Sequence, residues 1–229
     1  MSAIDASALL RPRLLEDVSI VLAGAAAHGA DTGAPPDPAS MGGGLGAAVA
    51  GACAGLGASV VACPLECARP RGVEQAAVER AVAQALALPG GAGVDLLVLD
   101  GAGLFAEAAG AGEPAGARAA LHGSLDLAWN VTRALANGTF LQGGRGGRIV
   151  YLTPAREHGE HAEAARAGLE NLARTLSIEW ARHRVTAVAI APAGVDDAAA
   201  REVGALVAYL ASPAGAYFSG CLLDLAGER

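Results

Sequence analysis

The chain reads as one α/β domain built on a doubly wound parallel sheet. Three observations lead there. Short apolar runs of strand length alternate with segments of helical periodicity almost from end to end. The strand runs are apolar throughout instead of alternating, as strands covered on both faces must be. Single helices separate them, and a parallel return to the same sheet needs such a crossover.

The elements follow in order. VSIVLAG (18–24) is a β-branched run stopped by glycine. GLGAAVAGACAGLGA (44–58) is a small-residue helix that leads into a second strand, SVVACPL (59–65). VEQAAVERAVAQALAL (73–88) carries apolar residues at helical spacing, and VDLLVLDGAG (94–103) is the next strand with its closing turn. A helix over SLDLAWNVTRAL (124–135), the strand GRIVYL (147–152), a helix over 161–180, the strand VTAVAIAP (185–192), the helix REVGALVAYLAS (201–212) and the strand CLLDLAG (221–227) complete a Rossmann-like plan. Residues 1–17 form an N-terminal extension. Residues 25–43, rich in Gly, Pro, Asp and Ser, are a loop inserted in the first strand–helix unit of a single domain spanning 1–229.

Composition narrows the function. With 229 residues and 53% hydrophobic content, one sizeable core can be buried. The net charge of -7, with no Lys/Arg block, argues against nucleic acid. The first residues carry acids and a proline where a signal peptide needs a basic start and an apolar core, and no apolar run reaches spanning length. A cytoplasmic protein with no membrane partner is expected. Cys53, Cys63, Cys67 and Cys221 are too few and scattered for a disulfide framework, and Cys63 and Cys67 lack a second ligand pair for zinc. Glu157, His158, Glu160 and His161 have a spacing that could chelate a metal, but a solvated helix start is the simpler reading, so no metal is expected.

LSIEWARHRVTAVAIAPA (176–193), ALVAYLASPAGAYFSGCLLDLAG (205–227), GRIVYLTP (147–154) and LLVLDGAG (96–103) together, in this order, resemble the short-chain dehydrogenase/reductase family. The resemblance implies a tyrosine that moves the alcohol proton, a lysine one helical turn later, a serine that polarises the carbonyl, and an asparagine on the preceding helix. Anchored on AGLENLARTLSIEW, these positions hold Ala162, Arg166, Pro154 and Ser124. A methyl group transfers no proton, so no catalytic residue is expected. The fallback candidates are His161, one residue off the tyrosine position, with Thr153 and Tyr151.

The family's glycine-rich phosphate loop is also altered. Ala23-Gly24 stands at its start, and the next glycine pair before a helix, Gly44 and Gly46, comes only after the insertion. Reading AAAHGA as the loop places His28 and Ala30 where glycines belong, and Glu66 is the only acid near the end of the second strand. One helix stands between the second and third strands where the family has two helices and a strand. Only 195–200 replaces its substrate-covering segment. No cofactor is expected on this chain.

What survives is packing. Small residues Ala164, Ala165 and Gly168 permit close approach on the helix over 161–180, and Leu169, Leu172, Leu176 and Trp180 form an apolar stripe. With Trp129 they are interface candidates, against the alternative of an ordinary core stripe. The resemblance implies that this helix and its predecessor build a four-helix subunit interface. The expectation is therefore an inactive subunit, paired with an active short-chain dehydrogenase paralogue in a hetero-oligomer, a tetramer, whose partner carries NAD(P) and acts on a hydroxyacyl-CoA or related substrate. The alternatives are a divergent active NAD(P)-dependent oxidoreductase and a sensor of a nucleotide or small acid.

Overall fold

The computed structural model describes residues 10–25, 44–65, 75–89, 91, 93–109, 116–142 and 144–227. Six strands, β1 Ser19–Ala25, β2 Ser59–Leu65, β3 Leu96–Asp100, β4 Gly147–Leu152, β5 Val185–Ala191 and β6 Leu222–Asp224, form one sheet in the order β2-β1-β3-β4-β5-β6. Every pairing is parallel. The helices are α1 Gly44–Gly55, α2 Gln75–Ala87, α3 Gly101–Ala109, α4 Gly116–Gly138, α5 Ala162–Glu179 and α6 Asp197–Ala211.

Alternate strand residues feed two cores, which is why the strands are apolar at every position. On one face Val21, Leu97, Leu99 and Ile149 meet Val78 and Val82 of α2, Leu127 and Val131 of α4, and Leu169 and Leu176 of α5. On the other, Ile20, Leu22, Val98, Val150 and Leu152 meet Val49 and Cys53 of α1 and Val203 and Val207 of α6. Burial pushes the Cys53 and Cys63 thiols up to about 12, as expected of packing residues without thiolate chemistry. No described helix is long and apolar enough to cross a membrane.

The expected strands and crossovers are present, with four corrections, the first being that the strand anticipated over 221–227 pairs with β5 only over Leu222–Asp224. The strand anticipated over 94–103 stops at Asp100, because its carboxylate accepts the Gly103 N–H at 2.9 Å and starts α3, a helix not anticipated. The helix over 201–212 begins earlier, at Asp197, because Asp196 caps it through the Ala199 N–H at 2.8 Å. The helix expected over 124–135 runs the full Gly116–Gly138. Between β2 and β3 the described residues contain one helix, and only residues 192–196 separate β5 from α6. Of the loop expected over 25–43, Ala25 belongs to β1, where it pairs with Leu65; residues 26–43, including His28 and Ala30, and also Glu66 and Cys67, lie outside the described residues.

Glycine sets the closest helix contacts. A Cβ on Gly204 of α6 would lie 2.8 Å from the Ala48 carbonyl oxygen of α1, whereas one on Gly168 of α5 would meet only the tip of the Leu125 side chain, at 2.7 Å. Backbone cannot step aside as a leucine can. Gly204→Ala is therefore expected to lower stability by about 1–3 kcal/mol through overpacking. Gly168→Ala should cost less than about 1 kcal/mol, because the gain in helix propensity offsets a turned leucine. Urea unfolding of both variants checks the order.

Candidate functional site

In a doubly wound sheet the ligand crevice lies beyond the carboxyl ends of the strands, where the order reverses. Here the chain runs from β1 out to β2 and then back to β3 on the other side of β1, so the reversal falls between β1 and β3. Gly24 is buried near the end of β1, opposite Pro64 of β2. As the glycine pair predicts, α1 begins at Gly44, and Gly46 is buried in its first turn.

The residue facing that turn was not singled out by the sequence reading. Asp100, 1% exposed at the end of β3, accepts the Gly103 N–H of α3 through Oδ1, and the Gly46 N–H of α1 also bonds its carboxylate. Its Oδ2 accepts no hydrogen bond of normal geometry. One carboxylate thus stands at the amino ends of two helices, where their dipoles favour negative charge. Burial nevertheless dominates and pushes the acid from its ordinary 3.8 up to about 6. The available signal was an aspartate at a strand end, three residues before a helical N–H.

Across β4 the crevice wall is apolar or internally paired, apart from one buried hydroxyl. Thr153 follows β4, fully buried, with its N–H on the Ile190 carbonyl at 2.9 Å and its Oγ1 without a partner. Pro154 beside it is buried. Ala162 opens α5 and is 1% exposed, packed with Phe105, Ala120 and Ala165. One turn on, Arg166 ion-pairs with Asp224 of β6, to which Arg156 adds a second contact at 3.9 Å. Desolvation pushes the Asp224 carboxyl up, but hydrogen bonds from Arg166 and the Ala226 N–H, with the two arginine charges, outweigh it and hold it below the ordinary range.

The remaining candidates are dispersed. Ser124 is buried and donates to the Leu121 carbonyl of its own helix at 3.1 Å. Tyr151 lies in the α4-side core with its hydroxyl 2.8 Å from that of Thr132, and burial raises its pKa further, so it is a packing residue and not a proton carrier at the crevice. His161 caps α5 in the left-handed region, at φ 66°, about one-third exposed and 3.6 Å from the Glu160 carboxylate. His158 instead accepts the Ala155 N–H through Nδ1 at 3.0 Å, and burial lowers its pKa. Among the described residues no group of three His, Cys, Asp or Glu could hold a metal ion.

Of the interface candidates, Leu169 and Leu176 belong to the sheet-facing core and so are not free to form a subunit contact. Leu172 and Trp180 are half-buried against that core, and Trp129 is 40% exposed.

No family model matches the chain, and no curated protein is similar to it in sequence. Solved structures are similar over nearly its whole length. A short chain dehydrogenase from Mycobacterium smegmatis superposes with a TM-score of 0.69 at 22% identity, over 96% of each chain. A hydroxysteroid dehydrogenase from Escherichia coli does so with a TM-score of 0.68 at 17% identity, over 94% of this chain and 99% of that one. A citronellol catabolism dehydrogenase of Pseudomonas aeruginosa PAO1 gives 0.66 at 23%, over 94% and 96%.

The fold is that of the short-chain dehydrogenases. On the short-chain dehydrogenase plan, α5 should bring a phenol and an ammonium to the crevice from one face, since residues four apart share a helix face. Ala162 and Arg166 do share that face, yet one ends in a buried methyl group and the other in an ion pair.

The Asp100 assignment has a measurable sign. Its pKa is higher in the folded chain, so its contribution is most favourable below about pH 4 and is lost as pH rises through about 6. A shift of this size corresponds to roughly 2–3 kcal/mol. Relative to Asp100→Asn, which keeps the cap acceptor, the wild type should lose stability by that order between pH 4 and pH 7. Urea unfolding at the two pH values measures it, and a difference that does not change with pH contradicts the assignment.

Proposed function

We propose that this chain is a catalytically inactive subunit with the short-chain dehydrogenase fold, which assembles with an active paralogue of the same fold. The observation that carries this reading is the pair on α5. The position from which a proton would be moved is a buried methyl group, and the cation one turn later is held by Asp224. General acid–base transfer needs a titrating group within hydrogen-bond reach of the reacting atom. Neither Ala162 nor the ion-paired Arg166 supplies one.

A nicotinamide dinucleotide does not suit the residues at the switch point. Its diphosphate needs an amino-terminal helix turn free to accept an anion. The first turn of α1 already faces the Asp100 carboxylate, whose Oδ2 accepts no hydrogen bond of normal geometry from the described residues. A phosphate brought within about 4 Å of that ionised group would meet repulsion on the order of 4 kcal/mol at an effective dielectric constant of about 20. NAD(P) is accordingly assigned to the partner subunit, with a hydroxyacyl-type substrate there, and no step is routed through this chain.

The surface of α4 and α5 supports assembly. Trp129 is exposed one turn after Leu125, the half-buried residue that packs on Gly168, and Leu172 stands one turn from that glycine. A large, amphipathic, partly exposed tryptophan in a chain with 3% aromatics is the kind of anchor that subunit contacts use.

The competing reading, an oxidoreductase acting through His161, has one observation in its favour: an accessible imidazole beside the Glu160 carboxylate at the amino end of α5. The two readings separate in the isolated chain. The expected result is no saturable NADH or NADPH quenching signal and no turnover of 3-hydroxyacyl-CoA. Turnover that His161→Ala abolishes would establish the competing reading instead.

A further inference from the structure

At the opposite end of the strands, beyond the amino ends of β4 and β5, lies a cavity of about 580 Å³ that takes no part in the site above. Three arginines, Arg145, Arg148 and Arg184, line it together with Asp95, Ser177 and Ser219. The lining therefore carries a formal charge of about +2 on a chain whose net charge is -7. Local structure draws the arginines together. Gly146, at φ 80°, approaches so closely that a Cβ there would lie 2.6 Å from the Arg184 carbonyl oxygen. Arg184 itself has φ 59°, and its carbonyl accepts the Gly147 N–H at 3.3 Å.

Each guanidinium is anchored through one nitrogen. Arg145 Nη2 donates to Asp95 Oδ1 at 3.1 Å, and Arg184 Nη2 donates to the Gly144 carbonyl. Arg148 Nη1 serves the carbonyls of Leu210, Ala211 and Ser212, at 2.8, 2.6 and 2.7 Å, where α6 ends. The other nitrogens of the three forks make no hydrogen bond to described residues. Asp95 brings one negative charge against three positive ones, and its Oδ2 also accepts the Ser19 N–H at 2.9 Å. Ser219 accepts the Ala187 N–H at 3.4 Å, which leaves its hydroxyl proton to donate.

Held guanidinium forks with donors to spare suit oxyanions that accept two hydrogen bonds at once, and anchoring reduces the entropy lost on binding. We propose that this cavity binds a small phosphate ester, with its dianionic phosphate on Arg145, Arg148 and Arg184. The volume exceeds what a bare ion needs and accommodates the organic part of the ester. The site is independent of the active-paralogue reading, because it uses none of the residues at the carboxyl ends of the strands.

The test is a titration of the ¹⁵N-labelled full chain with inorganic pyrophosphate at low ionic strength, followed by amide shifts. Saturable shifts are expected at Gly146, Gly147, Ser177 and Ser219. Arg145→Gln, a change at an exposed side chain, should weaken binding about tenfold or more, while Arg174→Gln, on the outer face of α5, should leave it unchanged. Shifts that do not saturate, or that centre on Gly46 and Gly103, would overturn the proposal. Equal weakening by Arg174→Gln would also overturn it, as would tighter binding of tricarballylate, a carboxylate of comparable charge.

Discussion

Covering a parallel sheet on both faces is the constraint from which the rest of this structure follows. Because β1, β3 and β4 bury their side chains on either side, each return must pass through a helix, and the helices must lie close. Alanine and glycine meet the second demand. At Gly204 the α1 backbone comes within van der Waals contact of α6, and at Gly101 there is no room for a side chain beneath Leu169 and the Leu152 carbonyl. A chain of small residues thus reaches a tight core with few aromatics.

The same constraint creates the crevice, because the order of a doubly wound sheet must reverse somewhere. What occupies the crevice is a separate matter. Here the amino ends of α1 and α3 converge on one internal carboxylate, and the neighbouring edge of the sheet closes on the Arg166–Asp224 pair. Each charged group has a partner within the fold, Asp100 through its Oδ1 and Arg166 through Asp224. Selection for assembly would preserve the packing and leave the reacting groups free to change, and the contrast between an intact sheet and a methyl group at Ala162 fits that history.

Strands and crossovers were legible in the sequence because apolar runs and 3.6-residue periodicity are local signals. β2 and β4 were read to the residue. Helix starts were less legible where an aspartate at the preceding position could be taken for part of the strand or loop, as at Asp100 and Asp196. At the site, Ala162 and Arg166 were placed on one helix face correctly, since their spacing is local. The partner of Arg166, 58 residues away on β6, and the double cap at Asp100 depend on strand order and helix approach, which no single segment encodes. Tyr151 and Leu169 show the other limit: a strand covered on both faces buries either parity, and position on a helix stripe does not separate core from interface, so only the packed structure places them.

A companion subunit is the central requirement of an inactive partner chain, so the most direct measurement is affinity purification of the tagged chain from its native host, with native mass spectrometry of what is retained. The account predicts a stoichiometric companion of the same fold whose helix equivalent to α5 carries tyrosine and lysine four residues apart. Recovery of the chain as a pure homo-oligomer would contradict it.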